Sequence, residues 1–355
     1  MDRKPPSRRT RRFALIAVLA AVGLATGHAL LWRAMADQLE AGWQNWVQLR
    51  RAHGWQVDHA PPMRGGWPLA ATLTVDRLRL EGAAATLPGG VALGVQRAVL
   101  RVELPWLDRL EVALPGQQRL RLGGTEFPFT ADTLTAIVPL ERDTLPSTAE
   151  LVAEQLRIGL AGGAVELASG RLAVRGSASA TEAEAALELT LLAEGLDLPP
   201  AAPGDPLGRF GRRIATLSAE LALSGPLPGG RAPATRAEAW RDGGGTLELR
   251  RLGLRWGPLG GTATATLAFD EALQPMGAGT LRLGGAAAAL EALVEAGLVG
   301  RRAAVTARGV LPLLSRPSPE DGTPEIEVPL TLEDRTLSLA RIPVMRFAPL
   351  EWPRR

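Results

Sequence analysis

Apolar and polar residues alternate with a period of two over most of this chain, from about Leu69 to Ile342. In residues 69–82 (LAATLTVDRLRLEG), Leu73, Val75, Leu78 and Leu80 take every second place, with one offset near Asp76. The pattern recurs in 92–104, 107–114, 132–140, 151–160, 163–176, 184–195, 214–225, 245–256, 261–270, 278–285, 302–311, 325–333 and 336–342. Gly or Pro stands at most junctions: Pro88-Gly89-Gly90, Pro115-Gly116, Gly123-Gly124, Gly162-Gly163 and Gly260-Gly261. A helix would require the pattern to slip by one residue each turn, so the segments read as strands joined by hairpins. Strands with one apolar and one Arg/Glu/Thr face make antiparallel sheet with one side wet. Leu carries the apolar face more than Val or Ile, against its intrinsic preference; persistence of the alternation outweighs this.

Two segments break the rule. Ala286–Leu298 places Leu290, Leu293, Val294 and Leu298 at helical spacing, and Ala232–Arg241 reads as a shorter helix before Gly243-Gly244-Gly245. Residues 198–211 (LPPAAPGDPLGRFG) form the best loop, through which one continuous sheet is expected to pass.

The second constraint is Phe13–Trp32, a run of 20 residues without formal charge. At 1.5 Å per residue, such a helix spans a hydrocarbon core of about 30 Å. Six basic residues precede it, which places residues 1–12 in the cytoplasm by the positive-inside rule. Trp32 closes the span where an aromatic sits at the interface. Gly27-His28-Ala29 is compatible with signal-peptide cleavage. The run continues through Leu30, Leu31 and Trp32, longer than a usual signal core, and this favours an uncleaved anchor. A twin-arginine signal wants one residue between Arg12 and Phe13, which is missing. Residues 33–56 carry Met35, Leu39, Trp43, Trp46 and Leu49 at helical spacing, an amphipathic helix leaving the membrane with Gly54 as its stop. The expected organisation is a cytoplasmic tail (1–12), a transmembrane anchor (13–32), a juxtamembrane helix (33–56) and a periplasmic β-rich domain (57–355).

The isoelectric point of about 10.5 suggests a nucleic-acid binder, but the charge is misplaced for one. Residues 1–12 carry Arg3, Lys4, Arg8, Arg9, Arg11 and Arg12 against Asp2, a net of +5, which leaves −2 for the rest of a chain whose total is +3. With no Cys or Tyr and a single Lys, little titrates between His and Arg, so a small excess lifts the isoelectric point. No nucleic acid is expected as a partner. The absence of Cys excludes disulfides, thiolate metal sites and cysteine nucleophiles.

No catalytic signature stands out. His53, Asp58 and His59 match no metal-ligand spacing and read as loop residues. There is no Gly-rich phosphate loop and no GxSxG elbow. No enzyme activity, cofactor or metal is expected. Trp67, Trp240 and Trp256 read as packing at the core or sheet ends, with lining of a lipid groove the sharper alternative.

Several stretches resemble a known family: Gly65-Gly66-Trp67-Pro68 before the first long strand, Leu196–Pro199, Trp240–Gly245 running into Leu247-Glu248-Leu249, Leu254–Leu259, Gly261-Thr262-Ala263, Phe269-Asp270, Gly277–Leu281 and Leu337–Pro343. Their order resembles the bacterial family of domain of unknown function 2125, itself similar to AsmA-like envelope proteins. One departure is Arg341, where a Gly is expected before the apolar pair. The resemblance implies an inner-membrane anchor followed by an extended, curved antiparallel β-sheet, an AsmA-like groove with one or two short helices. It implies a role in envelope maintenance, with phospholipid as the apolar cargo; the alternative is a scaffold for envelope proteins without lipid. About fifteen strands 4.8 Å apart would span on the order of 70 Å, short of bridging two membranes alone.

Overall fold

The computed structural model describes residues 8–82, 90–140, 147–177, 179–182, 184–200, 210–226, 233–295, 300, 304–305, 308–309, 311, 315–317 and 324–352. Within these the chain is mainly β, as the alternation requires.

The chain opens with one helix, α1 (Arg8–Ala52). The apolar run and the amphipathic segment expected as two elements form a single 45-residue helix, because no Pro or capping residue separates them. α1 ends in a Schellman closure: the Gly54 N–H donates to the Arg51 carbonyl (3.0 Å) and the Trp55 N–H to the Arg50 carbonyl (3.0 Å). Gly54 has φ +83°, which a residue with a Cβ adopts at a cost.

The strands follow as β1 (Gln56–Asp58), β2 (Met63–Gly65), β3 (Ala70–Gly82), β4 (Val91–Glu103), β5 (Arg109–Ala113), β6 (Gln117–Leu122), β7 (Thr125–Thr130), β8 (Thr133–Pro139), β9 (Thr148–Leu160), β10 (Gly163–Gly176), β11 (Ala185–Asp197) and β12 (Arg213–Ser224). Helix α2 (Pro233–Asp242) precedes β13 (Leu247–Trp256), β14 (Leu259–Phe269) and β15 (Pro275–Gly284). Helix α3 (Ala286–Glu295) is followed by β16 (Ser315–Pro317), β17 (Pro324–Glu333), β18 (Thr336–Leu339) and β19 (Ile342–Arg346). All belong to one 19-stranded sheet in which every pairing is antiparallel. β11 pairs with β12 on either side of the expected loop, so the sheet passes through it; residues 201–209 of that loop lie outside the described residues. The strand expected over 302–311 is not formed where it can be seen: Ala304, Val305, Arg308 and Gly309 are helical, and the remainder lies mostly outside the described residues.

Four positions in the sheet are shared end to end. β1 and β2 both pair with β3, β5 and β6 with β4, β7 and β8 with β9, and β16 and β18 with β17. The nineteen strands therefore occupy fifteen lateral positions.

The interruptions line up. The β1–β2 break faces residues 75–78 of β3, where Arg77 has φ +53°. Gln96 lies opposite in β4, where the buried positions jump from Val95 to Ala98. Next come the β5–β6 break at 114–116, the β7–β8 break at 131–132, Gln155 in β9 (φ +50°) and Gly195 in β11 (φ +62°). The line ends at the register shift between Ile214 and Thr216 in β12. Irregularities of this kind bend a strand and increase its twist. Aligned across adjacent strands, they crease the sheet along one line. The offset near Asp76 in the sequence is the start of that crease.

The core lies between α1 and the start of the sheet. Trp43 and Val47 pack on Val57, Leu73, Val75, Leu78, Val95, Ala98 and Leu100, while Met35 and Ala36 pack on Ala71 and Val102. Burial of a Val or Leu side chain contributes about 1.5–3 kcal/mol, so this cluster fastens the helix to β3 and β4. Trp55 covers Gly82, where a Cβ would lie 2.8 Å from the indole ring.

Candidate functional site

Antiparallel register assigns every side chain to a face, since directly opposed residues point the same way. One row runs Leu151, Leu172, Leu191, Ala219, Leu252, Ala263, Leu281 and Val328 across β9–β15 and β17. A parallel row runs Ala149, Val174, Leu189, Leu221, Leu249, Ala265, Gly279, Leu330 and Leu339. The face continues through Leu134, Ala136 and Val138 of β8 to Leu110 and Val112 of β5, and so to the core under α1. A single apolar face thus extends from β3 to β18.

Its cover is partial. α1 packs on β3 and its neighbours, and α2 and α3 lie against β14; no helix among the described residues packs comparably on β8–β11. There Leu172, Leu189 and Leu191 are half-buried, and Leu151 is exposed. An apolar face left half-buried in this way is a candidate interaction surface.

A second covered part of the face lies under α2. Leu223, Ala237, Trp240, Leu247, Leu267, Phe269 and Trp352 line an apolar cleft of about 340 Å³, with the exposed Arg236 at its margin. This falls at the low end of the volumes typical of small-molecule sites. Trp240 is buried; its Nε1–H donates to the Ser224 carbonyl (2.9 Å), and its ring meets Phe269 edge-on at 5.4 Å. Phe269 in turn meets Trp352 at 5.3 Å, and the Trp352 Nε1–H donates to the Leu273 carbonyl (3.0 Å). Nearby, the Leu350 N–H donates to Gln274 Oε1 (2.8 Å). The glycines after Trp240 make a tight turn: the Gly244 N–H donates to the Arg241 carbonyl and the Gly245 N–H to the Trp240 carbonyl. A Cβ at Gly245 would collide with the Trp240 indole.

The opposite face is polar and paired across strands. Glu188 of β11 accepts from Arg250 (2.7 Å) and Arg175 (3.3 Å), Arg157 donates to Glu166 (2.6 Å) and Arg282 to Glu327 (3.2 Å). The Arg250 hydrogen bond, with Arg175 second, holds the Glu188 carboxyl below its ordinary pKa, and the Arg97 hydrogen bond does the same to Asp76. These are solvated pairs, screened by water and salt, and they keep this face wet.

The three tryptophans picked out from sequence are not brought together. Trp240 lines the cleft. Trp256 lies opposite Ile214 at the end of the apolar face, with its Nε1–H donating to the Gly211 carbonyl (2.8 Å) and its ring on Phe210. Trp67 is 52% exposed and packs against α1, 5.0 Å from His28 and 5.7 Å from Trp32. His28 Nε2 lies 2.8 Å from the Pro68 carbonyl, so this histidine is a contact to the loop at the end of the span. His53 and His59 bond to the carbonyls of Leu49 and Ala60, and no group of three potential metal ligands occurs among the described residues. Sequence reasoning missed Phe269, Trp352 and the leucine rows. The rows were present as alternation, but which leucines adjoin is a matter of register.

Phe13–Trp32 lies in α1, the one helix among the described residues long and apolar enough to cross a membrane. From Phe13 to Leu31 its large apolar side chains are exposed wherever they are described.

Residues 32–348 match the model of the family described as "Uncharacterized protein conserved in bacteria (DUF2125)", and the chain belongs to that family. No curated protein and no solved structure matches, so the likeness to AsmA-like proteins has no counterpart here.

Proposed function

We propose, starting from membership of a family whose description assigns no activity, that this is a non-enzymatic membrane-anchored protein that shelters acyl chains on its apolar sheet face. The observation that carries the reading is the leucine face itself. It runs unbroken from β3 to β18, yet no described helix covers it over β8–β11. A sheet built only to fold would close this face on a second layer. Among the described residues the second layer is present at the two ends, as α1 and as α2 with Trp352, and open between them. The surface suits hydrocarbon, and the cleft under Trp240 suits the end of a chain.

Placement follows from charge. The basic residues before Phe13 favour a cytoplasmic amino terminus, so the sheet lies on the far side, the periplasm of a cell with two membranes. The cargo would then be phospholipid in transit or storage within the envelope.

The test is photo-crosslinking in cells. A photoreactive residue replaces Leu191 on the apolar face or Thr190 on the polar face, in the otherwise intact chain. Lipid adducts several-fold more abundant at 191 than at 190 are expected. Equal or absent adducts at both would overturn the lipid reading.

A second reading is favoured by β19. Among the described residues it pairs only with β18, and all five of its residues, Ile342 and Met345 included, are exposed. An apolar edge strand is a template for strand addition by another protein. Protein adducts at Met345, without lipid at Leu191, would support a scaffold role instead.

A further inference from the structure

The span of α1 ends beside a second apolar surface. Loop 66–69 precedes β3 and loop 104–108 follows β4, and the two are joined by the Leu104 N–H donating to the Leu69 carbonyl (2.9 Å). Trp67, Leu69, Trp106 and Leu107 on these loops are between 43% and 68% exposed. α1 is fastened at this level: the Trp32 Nε1–H donates to the Ala70 carbonyl (2.8 Å), and the Trp67 ring sits between His28 and Trp32.

Charge begins immediately beyond. Arg64 pairs with Asp37 and Glu40, one to two turns past Trp32, and Arg101 donates to Glu103 at the end of β4 (2.8 Å). Arg109 lies 5.2 Å over the Trp106 ring. The order is therefore an uncharged helix about 30 Å long from Phe13 to Trp32, then a level of tryptophan and leucine, then ion pairs. This is the layering of a bilayer: hydrocarbon, an interface that favours Trp, and water.

We propose that loops 66–69 and 104–108 seat the domain on the lipid bilayer surface where α1 emerges. Trp67 and Trp106 lie at headgroup level, and Leu69 and Leu107 enter the acyl boundary. The proposal rests on the reading of residues 13–32 as a membrane span. A partner protein would leave unexplained why the patch continues an apolar helix surface and stops where the ion pairs start.

The chain has no cysteine, so single labels can be placed cleanly. Leu69→Cys, Leu107→Cys, Leu19→Cys and Gly124→Cys are made in the full chain, labelled with an environment-sensitive fluorophore and reconstituted in phosphatidylethanolamine–phosphatidylglycerol vesicles. Quenchers carried at shallow or deep positions on the lipid are then added. Labels at 69 and 107 are expected to be quenched several-fold more than at 124, and more by the shallow quencher, while 19 responds to the deep one. Labels at 69 and 107 that stay in water while 19 is quenched would overturn the seating alone. A label at 19 that stays in water would overturn the span and the seating with it.

Discussion

Ala340 and Arg341 form the two-residue loop between β18 and β19, with φ of 48° and 71°. Asp334 and Arg335 do the same between β17 and β18, at 48° and 63°. Positive φ at both loop positions is the geometry that two-residue hairpins prefer, and it is normally supplied by Asn-Gly. In this chain L-residues with full side chains occupy it, at roughly 1–2 kcal/mol each. Arg341 is also where the sequence lacks the glycine expected of its relatives, and its backbone explains that expectation. Arg341→Gly should therefore raise stability by about 0.5–1 kcal/mol, the relief at this angle less the extra freedom glycine has when unfolded. Denaturant melts of the two proteins check this; an unchanged or lowered midpoint would contradict it.

Elements were legible in the sequence where one rule sufficed. Long alternating segments became β3, β4 and β9–β15, and a change of period marked α2 and α3. β6 and β7 were passed over because QQRLRL offers few apolar places and TEFPFT holds Pro128. β19 was hidden because the alternating segment 336–342 runs straight through its hairpin and IPVMR holds Pro343. The join within α1 was missed because a change of composition at Arg33 is not a change of backbone. The candidate site was legible only in part. Alternation announces an apolar face, but its rows depend on register, and its cover depends on where helices dock. The crease was least legible, since it is defined by one irregular residue in each strand. Gly195 is one of its tight points: φ is +62°, and a Cβ would lie 2.9 Å from both the Ala168 Cβ and Arg213 Nη2. Gly195→Val is expected to cost about 1–3 kcal/mol through strain and overpacking. Gly260→Ala in β14, with no atom within 4 Å of its added Cβ, should stay within about 0.5 kcal/mol of the parent. Equal midpoints for the two variants would argue that the crease is not a fixed feature.

At the scale of the molecule, the helix decides which way the sheet faces. Trp32 touches Ala70, Ala36 packs with Ala71, Trp43 and Val47 pack with Leu73 and Val75, and Arg51 donates to the Val57 carbonyl, beside Leu80. α1 thus advances along β3 from its first residue towards its last. If α1 leaves the bilayer upright, β3 and its neighbours stand on the membrane with their Ala70 and Glu103 ends down. Height above the bilayer is then set by strand length, about 40 Å for the 13 residues of β3. Stacking, on the order of 70 Å for fifteen positions, begins parallel to the membrane and turns as the sheet twists. A body so placed would lie over its own leaflet as a platform and would not reach across a compartment. Gly124, in the turn between β6 and β7, lies at the upper end of these strands, since Leu122 pairs with Val91 and Val91 with Gly82. Energy transfer from a donor at Gly124→Cys to acceptors on lipid headgroups should report a height of about 40 Å. A donor at Leu107→Cys should lie within about 10 Å of the same plane. Similar short heights for both would mean that the strands lie flat. The apolar face would then press on the bilayer, and its leucines would serve as a membrane contact instead of a shelter for lipid drawn out of it.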